Sequence, residues 1–116
     1  MEYKPPTTGK PVRLSEEEIA TINQAAKTVF GDSVSVLLFG SRADLSQKGG
    51  DIDLLLQLPE PEKSAFTLDN KISFLVRVKK GIGDQKIDVV YDDVTKTNPT
   101  FLEMIREKAV LLNAVK

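Results

Sequence analysis

The chain has 116 residues, 41% of them hydrophobic and 28% charged, with a formal net charge of -1, enough for one modest core and therefore one domain. It contains neither cysteine nor histidine, which excludes disulfides, thiol nucleophiles, Ser-His-Asp triads and the usual zinc ligand sets. The near-neutral charge excludes a duplex-binding surface covering the whole domain, and no apolar run approaches the roughly 20 residues of a membrane span. What remains for chemistry is carboxylate, hydroxyl, lysine and arginine; carboxylates of this kind favour hard cations such as Mg2+ or Mn2+.

In chain order, residues 1–12 read as a flexible tail, rich in proline, threonine and glycine, and residues 13–116 as the domain. The first residues lack an apolar leader, so a cytoplasmic location is expected. Ser15-Glu16-Glu17-Glu18 spells a capping box that opens a helix. Its apolar positions are Ile19, Ile22, Ala26, Val29 and Phe30, and Gly31 is expected to close it in a left-handed conformation. Val34 to Phe39 reads as a first strand stopping at Gly40, and Asp51 to Leu58 as a second, ended by Pro59 and Pro61. Leu68, Ile72, Leu75, Val76 and Lys79 predict a helix from Ser64 to Lys80 whose stripe faces the core, broken by Gly81 and Gly83. Lys86 to Tyr91 is a third strand. Pro99 opens a last helix striped by Phe101, Leu102, Ile105 and Ala109, ahead of Val110 to Leu112; Phe101, Leu102 and Ile105 are candidates to face either the core or another chain. The order predicts an α/β (α+β) domain with a small mixed β-sheet, the second and third strands parallel through a right-handed crossover.

Asp51 and Asp53 stand one residue apart on a strand, so their side chains share a face, while Ile52, Leu54, Leu56 and Leu58 take the other. Asp88, flanked by Ile87 and Val89, begins the neighbouring strand with the same parity. Three carboxylates gathered at one sheet edge repel, and a divalent metal is the simplest compensation. An antiparallel first strand returns Gly40 to the same edge. There Gly40 admits a close anion, Ser41 offers a hydroxyl and an amide, and Arg42 offers a charge-assisted bond to phosphate. Lys48, Gly49 and Gly50 are further candidates for nucleotide contact. Taken singly, Asp-x-Asp also suits a solvated strand, Gly40-Ser41 a strand-ending turn, Arg42 a surface charge, and Asp92 and Asp93 a polar turn.

Gly40-Ser41-Arg42, the run to Gly50, then Asp51-Ile52-Asp53 and the later Lys86-Ile87-Asp88-Val89-Val90 strand resemble the signature of the polymerase-β nucleotidyltransferase superfamily. The likeness extends from about Ser33 to Leu112 and is closest to the minimal MNT-type branch; its spacer of nine residues, Arg42 to Gly50, is one shorter than that branch's form. The resemblance implies the nucleotidyltransferase fold. It also implies that Asp51, Asp53 and Asp88 hold Mg2+ or Mn2+ on a nucleoside triphosphate, with Asp88 a candidate base. The implied reaction is transfer of a nucleoside monophosphate, AMP from ATP, to a hydroxyl, the implied partner a HEPN-type toxin. The other readings are an antitoxin that acts by binding alone and a nucleotide-binding module without transfer.

Overall fold

The computed structural model describes residues 12–44 and 50–113; the expectations for residues 1–11 and for Lys48 and Gly49 lie outside them. Helix α1 spans Glu16–Phe30. Its capping box is formed as read: the Glu18 amide donates to Ser15 Oγ at 3.0 Å, and the Ser15 amide donates to Glu18 Oε1 at 2.9 Å. Gly31 ends the helix with φ 95° but ψ 177°, so the closing residue has positive φ in an extended rather than left-handed helical conformation. Val12 and Leu14, ahead of the cap, already pack against the core.

Strand β1, Ser35–Phe39, pairs antiparallel with β2, Ile52–Gln57, from Ser35 opposite Gln57 to Phe39 opposite Asp53. Strand β3, Ile87–Tyr91, pairs parallel with β2, from Ile52 opposite Ile87 to Leu56 opposite Tyr91. A fourth strand, β4, Val110–Leu111, pairs antiparallel with the other side of β1, giving the order β3-β2-β1-β4. Two residues are too few to display a period of two, which is why this strand is invisible in the sequence. Asn113 prolongs it. Its side chain accepts from the Val36 amide and donates to the Val34 carbonyl, each at 2.7 Å, replacing one more rung of backbone ladder.

Helix α2 spans Leu68–Ile82 and starts four residues later than the sequence suggests. Thr67 is the reason: its Oγ1 accepts from the Asn70 amide at 3.1 Å, whereas Glu60–Ala65 form a 3-10 turn held off the helix by the prolines before it. Gly81 lies inside the helix and Gly83 ends it. The buried face of α2 is carried by Phe74 and Val78, with Leu75 and Ile82 partly covered, while Leu68, Ile72 and Val76 are exposed. The stripe read from the sequence is therefore mostly the outward one. Helix α3 spans Pro99–Lys108, capped by Asn98, whose Oδ1 accepts from the Thr100 amide at 2.8 Å.

Alternation along the strands divides the core. Val36, Leu38, Ile52, Leu54, Leu56, Ile87, Val89 and Tyr91 form one sheet face, covered by α1 and α2 through Ile22, Ala26, Phe30, Phe74 and Val78. At its centre the Phe66 ring stacks on Tyr91 at 4.2 Å and Phe30 meets both edge-on near 6 Å. The Tyr91 hydroxyl donates to the Thr67 carbonyl at 2.6 Å, and burial pushes its pKa up to about 12. On the other face, Leu102 and Ile105 of α3 pack on Leu37, Phe39, Leu55 and Val90.

At the end of the sheet where β3 finishes, Asp92 and Asp93 are both buried, and Asp92 continues the ladder through its amide to the Leu56 carbonyl at 2.9 Å rather than joining the expected polar turn. It accepts from Arg106 Nε at 3.0 Å, from Arg106 Nη2 and from Gln57 Nε2 at 2.8 Å, which pins α3 to the sheet. Burial, the largest single influence, raises the Asp92 pKa, but the bonds from Arg106 and Gln57 and the nearby cations outweigh it and leave it lowered. Asp93 does make the expected turn, accepting from Thr95 N at 2.9 Å. Because the folded pKa of Asp92 is depressed, its stabilisation is present above the unfolded value near 3.8 and is lost as pH falls through the folded one. Arg106→Met is expected to destabilise the fold by about 2 kcal/mol at pH 7, less than for a fully buried pair because Arg106 is partly exposed. Urea unfolding at a series of pH values should show the gap from wild type closing below pH 3.8.

Candidate active site

The parallel register puts Asp53 directly opposite Asp88 at the N-terminal ends of β2 and β3. Residues facing each other on adjacent strands sit about 5 Å apart, so the two carboxyls meet. Asp53 is held above its ordinary pKa, first by burial, then by the charges of Asp88 and Asp51 and a hydrogen bond with Asp88, with Lys86 opposing. Asp51 lies just before β2, and its Oδ2 is 3.5 Å from Lys86 Nζ, an ion pair exposed on both sides and correspondingly weak.

Antiparallel pairing of β1 delivers its C-terminal end to the same edge: Phe39 is paired with Asp53, and Gly40 follows with φ 77°. A Cβ built on Gly40 would collide with the Asp53 carboxylate, so the absence of a side chain at 40 is what lets the turn pass over Asp53. Gly40–Ala43 then forms one 3-10 turn, with Ser41 partly buried at its start. Of the expected meeting of the glycine turn with three carboxylates, the structure shows Gly40 against Asp53 and Asp53 opposite Asp88, while Asp51 stands at the margin beside Lys86.

The face carrying these acids is not wholly polar. Leu55, of the same parity as Asp51 and Asp53, is fully buried under α3, so the helix covers the far half of the face and leaves the acidic end open. Phe101 of α3 meets Phe39 edge-on at 6.4 Å beside that end and stays partly exposed.

Arg42 is engaged with the protein. Its Nη1 donates to the Arg13 carbonyl at 2.9 Å, and its Nη2 donates to the Gly50 carbonyl at 3.0 Å and to Gln85 Oε1 at 3.2 Å. The guanidinium therefore ties the glycine turn to the residues leading into β2 and β3, that is, into Asp51 and Asp88. Gln85, which sequence reading passes over, extends this brace: its Nε2 donates to Glu18 Oε2 at 2.8 Å. That bond, with those from Ser15 and the charge of Arg42, keeps Glu18 below its ordinary pKa against a raising effect of burial. A glutamine in a polar turn has no spacing signature, and only the fold brings residues 18, 42 and 85 together.

The donor set fits a hard divalent ion: every candidate ligand is a carboxylate oxygen, and Asp53 bears repulsion that a cation would relieve. Among the described residues no three acids are gathered in a metal-holding arrangement. The preformed part is the Asp53–Asp88 pair, and Asp51 would join it by exchanging Lys86 for the ion. A scan of protein-family models and a search of characterised proteins both find no match to the chain.

Proposed function

We propose that the chain is a metal-dependent nucleotidyltransferase that moves a nucleoside monophosphate, AMP from ATP, to a hydroxyl of a protein acceptor. The observation that carries the reading is the Asp53–Asp88 pair with the Gly40 backbone against Asp53. Asp51, Asp53 and Asp88 would hold Mg2+ or Mn2+, which when bound supplies charge stabilisation to the triphosphate. The Gly40-Ser41 turn presents an amide and the Ser41 hydroxyl to phosphate oxygens, and Arg42 keeps that turn in place. Asp88 takes the proton of the acceptor hydroxyl as its oxygen bonds the α-phosphorus; the bond to the bridging oxygen breaks and pyrophosphate leaves. Likeness to the MNT-type branch makes a HEPN-type toxin the favoured acceptor.

A second reading, binding without catalysis, is supported by the engagement of Arg42 and the pairing of Asp51 with Lys86. The chain, Mg2+, ATP labelled at the α-phosphate and the product of the adjacent gene decide between them. The transferase reading expects label covalently on that product and none with an Asp51→Asn, Asp53→Asn double variant. Absence of label, or neutralisation of the partner by the double variant as well as by wild type, favours binding alone.

A further inference from the structure

Helix α2 carries two apolar stripes, and the sheet uses one. Phe74 and Val78 are fully buried, yet Leu68, Ile72 and Val76, spaced one turn apart on the outer side, are 70%, 51% and 49% exposed. Isolated exposed leucines are ordinary, but three in line along one helix form a contiguous strip. The strip runs into a groove of about 770 Å³ between α1 and α2. The two helices are antiparallel, since Phe30 at the end of α1 packs on Phe74 in the middle of α2, while Gln85 beyond α2 reaches Glu18 at the start of α1. They approach closely where a Cβ on Gly81 would strike Thr21.

The groove is lined by Ala20, Thr21, Ala25, Thr28 and Ser73, small side chains that leave room for a third helix, with the longer Gln24 on its α1 wall turned to Thr28 at 3.4 Å. Arg77 and Lys80 stand on its rim, and neither makes an ion pair among the described residues. An apolar strip with a cationic edge matches an amphipathic helix with glutamate or aspartate along one flank. A second copy of the chain fits less well, because a two-fold contact through this face brings the Arg77 and Lys80 of both copies into one interface. Residues 1–11 fit no better: they hold Lys4 and Lys10 against Glu2 alone, with three prolines.

We infer that the groove between α1 and α2, with the Leu68-Ile72-Val76 strip, is a docking site for an acidic amphipathic helix of another protein. It lies across the sheet from Asp53 and Asp88, so an occupant leaves that edge open, and the inference stands apart from the transferase reading.

The test titrates the full chain with two synthetic helical peptides that share leucines at helical spacing and differ in flanking glutamate or lysine, read by fluorescence anisotropy. The glutamate peptide is expected to bind at least tenfold tighter. Ile72→Asp should weaken it at least tenfold with an unchanged melting temperature, as its side chain is exposed. Arg77→Glu with Lys80→Glu should reverse the preference. Equal affinities, no binding of either peptide, or binding indifferent to Ile72→Asp overturns the inference. So does a concentration-dependent dimer in sedimentation that Ile72→Asp abolishes, which assigns the face to a second copy. A photo-crosslinking residue at position 72 that joins to residues 1–11 of the same chain also overturns it.

Discussion

Asp53→Asn is expected to abolish nucleotidyl transfer, a loss on the order of a thousandfold or more, while making the metal-free protein slightly more stable. The two effects have one cause. Asp53 is held above its ordinary pKa by burial and by Asp88 and Asp51, so the fold opposes its ionisation. A raised carboxyl pKa means that the folded chain binds the proton more tightly than the unfolded chain. Stability therefore falls as pH rises from the unfolded value near 3.8 through the folded one, and the deficit persists at neutral pH. Removing the charge recovers up to about 1 kcal/mol, the scale of like-charge contacts at part-exposed sites. Thermal melts without metal should place the variant above wild type at pH 7, with the difference closing as pH is lowered. Added Mn2+ should raise the melting temperature of wild type and leave that of the variant unchanged. A variant less stable than wild type at pH 7 in metal-free buffer would show that the Asp53–Asp88 pair is not frustrated, and the case for a cation there would lose its physical basis.

Gly40→Ala should damage both stability and activity. The left-handed φ of 77° disfavours any Cβ by about 1–2 kcal/mol, and the added methyl overlaps the Asp53 carboxylate, so a total near 2–3 kcal/mol is expected from chemical denaturation. Relief of the overlap requires Asp53 or the turn to shift by a sizeable fraction of an ångström. Catalytic geometry tolerates that badly, and transfer should fall about a hundredfold. Gly31→Ala separates backbone strain from site geometry. Its φ is also positive, at 95°, but its Cβ would meet nothing, so it should lose stability alone. Equal activity loss in the two variants would mean that the close approach of Gly40 to Asp53 has no special role.

The strands and the site were legible to different depths. Parity along Asp51-Ile52-Asp53 and the apolar runs on both strands were enough to predict that Asp53 and Asp88 share a face, because a strand repeats every two residues. The strand-helix-strand order was enough to predict that they are parallel neighbours. Helix α2 was harder, since Leu68, Ile72, Phe74, Leu75, Val76 and Val78 offer apolar stripes on more than one side. Periodicity detects a stripe and cannot say which one the sheet takes. Burial of Phe74 and Val78 was decided by their fit against Phe30 and the sheet, and Ile72 and Val76 were left outside.

What the sequence determined by itself was local or periodic: the Ser15–Glu18 cap, the alternation that separates acids from core, the Pro99 helix start and the glycine after β1. Tertiary structure decided what depends on residues far apart in the chain. It turned Arg42 towards Arg13, Gly50 and Gln85, buried Asp92 against Arg106, added β4 beside β1 and laid α3 over Leu55. None of these leaves a mark in spacing. A long side chain chooses its partner by which acceptors the fold brings within reach, and a two-residue strand exists only because an unpaired edge of β1 is there to receive it.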